Sequence, residues 1–404
     1  EIRTCDAVEP LVVKRGETIR IKGAPTELSR DDVVCVSYED FVSDVPVGSS
    51  ILIDDGYIAL GVMGKSGEYL DCVVENDGVI HARKSINIPS VHVKLPALSE
   101  KDKGFIRFAA DNDLDFIAHS FVRNKEDVIA VQEILDEKRS AMKIIAKIEN
   151  FEGVLNLDEI LEHVYGIMIA RGDLAVEIPT EQIPLIQKRI IEKCVVQRKP
   201  VIVATQMLHS MIESPRPTRA EVSDVANACL DHADALMLSG ETASGKYPEM
   251  AVRTMAKIIE EVEGKSDRFI DIPYGHENKV TAYLAKAAVK AALRLNTKAI
   301  VADSLTGKSI LALSAYRGNN AIYAQVYDRQ VMRRLSLSFG VYAEYTPLDI
   351  TSARPLQGAI CRLINDRYFA DDDLIIVLAG NFGPHQGASY IEISSAANLK
   401  KKCG

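Results

Sequence analysis

Apolar and polar positions follow two different rhythms along this chain, and the change comes near residue 90. Before it, short β-favouring runs at 12–14, 18–21, 32–36, 50–53 and 69–74 are separated by turn signals such as Asp54-Asp55-Gly56 and Asn76-Asp77-Gly78. This texture predicts a small all-β domain over residues 1–86, with Asn87-Ile88-Pro89-Ser90 and Leu95-Pro96 leading out of it. After it, apolar strands alternate with amphipathic helices. Ser99-Glu100-Lys101-Asp102 caps a helix, and strands follow at 116–118, 143–149, 166–170, 200–205 and 235–238. Helices at 125–138, 152–162, 181–197 and 248–263 lie between and after them, and Thr218 with Glu221 forms a capping box for one more. Repeated β–α units predict a parallel sheet. Five strands are too few for a closed barrel of eight, so the sheet is either open or a (β/α)₈ barrel without its first three strands. A third region, 276–404, reads as another α/β unit, with a helix at 278–295 and strands at 299–302, 321–326, 374–379 and 390–393.

Chemistry gathers where the parallel strands end. Lys147 and Glu149 are two residues apart, so a strand's period puts both on one face. A buried cation and carboxylate cost desolvation unless they serve each other or a ligand. An ion pair closing the strand and a binding site fit that spacing equally well. Arg171-Gly172-Asp173 follows the next strand, Thr205 ends the one after, and Ser239-Gly240-Glu241-Thr242 follows the last. Polar groups thus collect at the carboxyl ends of successive strands, where open sheets and barrels both bind ligands. Glu149 and Asp173 suit a hard divalent cation, Mg²⁺ above all, and Lys147 adds positive charge for an enolate or a moving phosphoryl group. Gly172 lets a backbone N–H approach an anion. Two segments imitate nucleotide P-loops in spacing and fail on residue identity. Tyr247 stands where a metal-binding hydroxyl belongs, and Ala302 where the first glycine of the segment ending Gly307-Lys308-Ser309 belongs.

Composition narrows the function classes. The chain has 404 residues, is 47% hydrophobic and carries a net charge of −9, which gives no general reason to expect nucleic acid or an anionic membrane as partner. No apolar run approaches a membrane span. Seven cysteines without a C-x-x-C pair read as reduced thiols of a cytoplasmic protein. His119 is the one histidine near a strand end, and a satisfied core or surface role is expected for it. The chain opens on Glu1 rather than Met, as a processed or truncated product would.

The stretch Ile144-Ile145-Ala146-Lys147-Ile148-Glu149-Asn150-Phe151-Glu152-Gly153-Val154 closely resembles the signature of the pyruvate kinase family. So do Ile169-Ala170-Arg171-Gly172-Asp173-Leu174, Ala204-Thr205-Gln206-Met207-Leu208, Pro215-Arg216-Pro217-Thr218-Arg219-Ala220-Glu221, Ser223-Asp224-Val225-Ala226-Asn227 and Ser239-Gly240-Glu241-Thr242-Ala243. The resemblance implies a (β/α)₈ barrel with an inserted β lid at 1–86, barrel strands four to eight at 87–270, and a C-terminal α/β regulatory domain at 276–404. It implies phosphoryl transfer from phosphoenolpyruvate to ADP, yielding pyruvate and ATP, in a cytoplasmic homotetramer using Mg²⁺ (or Mn²⁺) and K⁺. By it, Glu149 and Asp173 are metal ligands and Lys147 is the catalytic cation. Gly172, Asp173 and Thr205 hold the substrate carboxylate, with Thr205 near the route that protonates the enolate. Arg3, Asp55 and Lys84 contact the nucleotide, and Glu1 goes with K⁺ dependence. Thr306, Gly307, Lys308 and Ser309 resemble an effector loop for a sugar phosphate or nucleotide, and 380–388 departs from the better-known second effector loop. The family's Arg-x-Asn-x-Ser and Asp-Thr motifs, from its first three strands, are not in this sequence, and Ser244 stands where many members have Lys. Two other readings stay open, a Mg²⁺-dependent barrel that makes or breaks C–C bonds through a pyruvate enolate, and an inactive effector-binding or assembly form.

Overall fold

In the computed structural model of the chain, all residues are described except 1, 55, 90, 92, 266–268, 274–277, 348–357, 359, 360, 364–368, 381–386 and 402–404. Glu1, Asp55 and most of the second effector loop therefore lie outside the described residues.

Three sheets carry the fold. The first has seven strands in the order Ile2–Arg3, Ser85–Asn87, Ser50–Ile53, Ile58–Ser66, Tyr69–Val74, Thr18–Gly23 and Val33–Val36. A two-stranded ribbon, Leu11–Val13 with Gly78–Ile80, joins it. Alternate residues such as Ile51 and Ile53, and Leu70, Cys72 and Val74, are buried in one core, as expected for strands packed on one face. The second sheet is parallel throughout, in sequence order: Phe116–His119, Lys143–Ile148, Gly166–Ala170, Val201–Ala204 and Ala235–Leu236. Its outer face packs under helices that include Lys125–Glu137, Ile183–Val196 and Arg219–Leu230. The third sheet runs Val341–Tyr345, Ala321–Val326, Ala299–Ser304, Leu374–Ala379 and Tyr390–Ser395, the last strand antiparallel.

Both sequence-legible caps form. Ser99 accepts from the Asp102 N–H at 3.2 Å, Thr218 accepts from the Glu221 N–H at 3.2 Å, and both reciprocal bonds are made. Three details differ from the pattern-based expectation. The helix expected at 152–162 is two, Phe151–Leu155 and Leu157–His163, broken at Asn156, whose side chain donates to the Arg123 carbonyl at 2.9 Å. Short helices at Phe41–Asp44, Arg171–Glu177 and Arg329–Leu335 were not expected from periodicity, each being too brief to show it. Cys361 is disulfide-bonded, which corrects the expectation of uniformly reduced thiols, whereas Cys5, Cys35, Cys72, Cys194 and Cys229 are buried thiols outside any disulfide.

The second and third sheets share one apolar core and are bolted together by charge. Arg317 Nη2 meets Asp234 Oδ2 at 2.6 Å with both side chains almost fully buried. Arg333 Nε reaches Asp115 Oδ2 at 2.6 Å, and Gln330 Nε2 donates to Asp113 Oδ1 at 2.6 Å. These contacts hold the loops entering the parallel strands, the end opposite to the candidate site.

Candidate active site

The site is built on strand ends because a parallel sheet delivers all of its carboxyl ends to one side. Lys143–Ile148 pairs in register with Phe116–His119 and Gly166–Ala170, so Lys147, Ser120 and Asp173 are all close to one edge of the sheet. A cleft of about 930 Å³ opens there, lined among others by Arg3 and Asn87 from the first sheet and by Ser120, Lys147, Glu149 and Asp173 from the second.

Glu149 is 1% exposed, and both of its oxygens are engaged. Oε1 lies 2.6 Å from Lys147 Nζ, and Oε2 accepts from the Phe121 N–H at 2.6 Å. Lys147 Nζ also donates to Ser120 Oγ at 2.9 Å. The spacing thus forms an ion pair between a buried carboxylate and a cation that itself lines the cleft. Asp173 stands in the first turn of Arg171–Glu177 and lines the same cleft, so two hard-oxygen carboxylates border it. Among the described residues no group of three or more His, Cys, Asp or Glu side chains is disposed to hold a metal ion.

Gly172 and Thr205 are brought together but not as bare donors. The Gly172 N–H donates to Thr205 Oγ1 at 2.8 Å, and that hydroxyl donates onward to the Ala204 carbonyl at 2.7 Å. Thr205 and Gln206 take φ values of +66° and +55°, left-handed backbone that turns the chain sharply off its strand. Arg171 faces away from the cleft, its guanidinium donating to Asp224 Oδ1 at 2.7 Å and the Thr205 carbonyl at 2.8 Å. Glu241 is likewise a scaffold group, 1% exposed, accepting from the Leu208 and Ser239 N–H groups at 3.0 and 2.8 Å. Of the polar groups predicted at the strand ends, then, some face the cleft and some brace its loops.

Arg3 is exposed and lines the cleft, with its Nη1 donating to the Arg83 carbonyl at 2.9 Å. Lys84 turns to Asp54, 3.0 Å away. His119 lines the cleft in a partly buried position, and burial lowers its pKa, opposed by the nearby carboxylates of Asp127 and Asp102. In the third sheet Gly307 adopts φ +82° and caps the helix Lys308–Ala315, its N–H donating to Ser304 Oγ at 2.9 Å. Thr306 and Lys308 are exposed beside it, while Ser309 is buried and donates to the Asp303 carbonyl at 3.2 Å. Ser120 and Phe121 were missed by sequence reasoning. Their signal was available, since they directly follow a predicted parallel strand.

Comparison with known proteins bears on this arrangement. The family description "Pyruvate kinase, barrel domain" matches residues 1–252, and "Pyruvate kinase, alpha/beta domain" matches 283–394. The chain belongs to the pyruvate kinase family. It is 41% identical to the pyruvate kinase of Borreliella burgdorferi, over 99% of this chain and 85% of that one. Against the pyruvate kinase of Clostridium acetobutylicum it is 41% identical, over 94% of this chain and 81% of that one. The crystal structure of a pyruvate kinase from Cryptosporidium parvum superposes with a TM-score of 0.88 at 36% identity, covering 98% of this chain and 82% of that chain. The fold is thus a pyruvate kinase barrel domain followed by a C-terminal α/β domain, and the chain is a phosphotransferase of the kinase class. The open-sheet alternative is set aside. Among the described residues no helix is long and apolar enough to cross a membrane.

Proposed function

We propose that the site moves a phosphoryl group from phosphoenolpyruvate to ADP, with Lys147 as its catalytic cation and Glu149 and Asp173 as metal ligands. The observation that carries this reading is the Lys147 ammonium, seated on Glu149 at 2.6 Å and facing a cleft that Asp173 also lines. As phosphoryl transfer proceeds, negative charge spreads over the moving group and then rests on the enolate left behind, and a fixed cation stabilises both. The donor chemistry fits Mg²⁺, which binds through one or two carboxylates and keeps its other positions for water and substrate oxygens. When bound it would neutralise phosphate charge. The substrate carboxylate would take the Gly172 N–H and the Thr205 hydroxyl, which now bond to each other and to Ala204. A rotation of the Thr205 side chain frees both donors. A hydroxyl beside the bound carboxylate would also suit a part in protonating the enolate.

Arg3 on the cleft wall supports a nucleotide contact there, and Lys84, paired to Asp54, supports one less directly. A nucleotide-gripping β lid is what the C–C lyase alternative would not need. The family likeness supports a K⁺ requirement, a homotetramer in the cytoplasm, the limits 1–86, 87–270 and 276–404 for lid, barrel and C-terminal domain, and an effector loop at Thr306–Ser309. The deciding measurement is pyruvate release from phosphoenolpyruvate with and without ADP. Release that requires ADP supports the kinase, because only phosphoryl transfer to ADP frees pyruvate in step with ATP, and no release with ADP, Mg²⁺ and K⁺ present would favour the lyase or the inactive form.

A further inference from the structure

The polypeptide leaving the first sheet passes along the rim of the cleft, and one barrel side chain grips it there. Arg123 Nη1 donates to the Val93 carbonyl at 3.3 Å and Nη2 to the Leu95 carbonyl at 3.1 Å. The same guanidinium is held by Asp127, through Nε to Oδ2 and Nη2 to Oδ1, both at 3.0 Å, and the Arg123 N–H adds a third bond to Oδ2 at 3.0 Å. Asp127 is 4% exposed and Arg123 partly buried, so a desolvated carboxylate fixes the guanidinium through a two-bond fork.

Arg123 is also only two and three residues beyond the groups that hold the catalytic pair. Phe121 gives its N–H to Glu149, and Ser120 accepts from Lys147. Phe121 has φ +53°, a conformation a bulky residue keeps only when its surroundings enforce it. The loop is further held by Asn150 Nδ2 on the Val122 carbonyl at 3.3 Å and by Asn156 Nδ2 on the Arg123 carbonyl at 2.9 Å, while the Arg123 side chain ties it to Asp127 and the linker. Charge alone does not demand this arrangement, since Asp127 could neutralise Arg123 without either linker carbonyl.

We infer that Arg123 is a positioning residue that couples the exit segment of the β lid to the loop placing Lys147 and Glu149, so that lid position and catalytic geometry change together. The inference rests on the proposed roles of Lys147 and Glu149. It predicts that weakening the fork loosens the linker and misplaces the pair in the same variant.

The test uses the full chain with Arg123→Met, Arg123→Lys and Asp127→Asn. Lys94, exposed between the two gripped carbonyls, offers a tryptic site that reports on the grip. Cleavage after Lys94 should quicken about tenfold in Arg123→Met, because a protease needs the local segment released. In the same protein kcat should fall about 10–100-fold, the scale of a small misplacement of reacting groups, with a smaller change in KM for phosphoenolpyruvate. Arg123→Lys should recover little, since an ammonium cannot span the fork. Asp127→Asn should move both readouts in the same direction. A lowered melting temperature with kcat and the Lys94 cut unchanged would overturn the inference, as would a faster cut with normal kcat. Should the parent chain itself release no pyruvate on addition of ADP, the functional reading fails first. The coupling is then judged by the Lys94 cut together with Mn²⁺ affinity, which must shift together in Arg123→Met, and a change in only one overturns it.

Discussion

At the scale of single residues, the centre of the site is one ammonium and one buried carboxylate. Lys147→Met should slow phosphoryl transfer by about 10²–10³-fold, since a fixed charge at such a site contributes ~3–4 kcal/mol to the transition state. A steady-state rate close to that of the parent would remove Lys147 from the chemistry. Glu149→Gln keeps an acceptor for the Phe121 N–H but loses the charge, so the Mg²⁺ concentration for half-maximal activity should rise at least tenfold. An unchanged titration would show that Glu149 is not a ligand. Much of this site was legible in the sequence. Period-2 spacing placed Lys147 and Glu149 together, and strand-end logic gathered Asp173, Gly172 and Thr205. What spacing could not reveal is which strand-end groups face the cleft. Glu241 and Arg171 sit in motifs like those of the others, yet their partners are backbone N–H groups and Asp224, reached only through the folded loops.

At the scale of elements, small residues and buried charges set limits that composition does not show. Gly153 lies in Phe151–Leu155, and a methyl group there would come within 2.5 Å of the Val122 carbonyl. Gly153→Ala should therefore push the helix off the loop after Phe116–His119, destabilising the fold by about 1–3 kcal/mol in urea unfolding. It should also lower activity through Phe121. Asp303, at the end of Ala299–Ser304, is raised to about 6 by burial, with the Tyr327 hydroxyl donating to it at 3.2 Å and partly opposing the shift. Its folded pKa exceeds the unfolded one, so its contribution is favourable below pH 3.8 and is lost as pH rises to about 6. Asp303→Asn should raise the melting temperature at pH 7.5, with the gain vanishing near pH 4. A constant difference across that range would exclude the titration as its cause. The long strands and capped helices here followed from periodicity, whereas Arg329–Leu335 is too short to announce itself, though three of its side chains bind the barrel.

At the scale of the whole molecule, the C-terminal unit is joined to the barrel through a charge pair removed from water. Arg317→Met leaves Asp234 buried with the Val201 and Phe339 N–H groups as its remaining donors among the described residues, and Asp234→Asn leaves Arg317 facing an amide. Each should cost about 3–5 kcal/mol, and the double substitution less than the sum of the two. Denaturant unfolding of all three variants gives the comparison, and strict additivity would show that the two groups act independently. None of this junction could be foreseen, because it depends on the docking of two units and not on any local pattern. The border of the first unit was foreseeable, since the rhythm of the chain changes near residue 90.

Thr205 carries a branched side chain on backbone that such residues rarely accept, and Gln206 follows it into the same region. Asn or Gly would rest there more comfortably. A campaign rewarding heat resistance alone should thus drift to those residues at 205, and the survivors would outlast the parent while having discarded the hydroxyl.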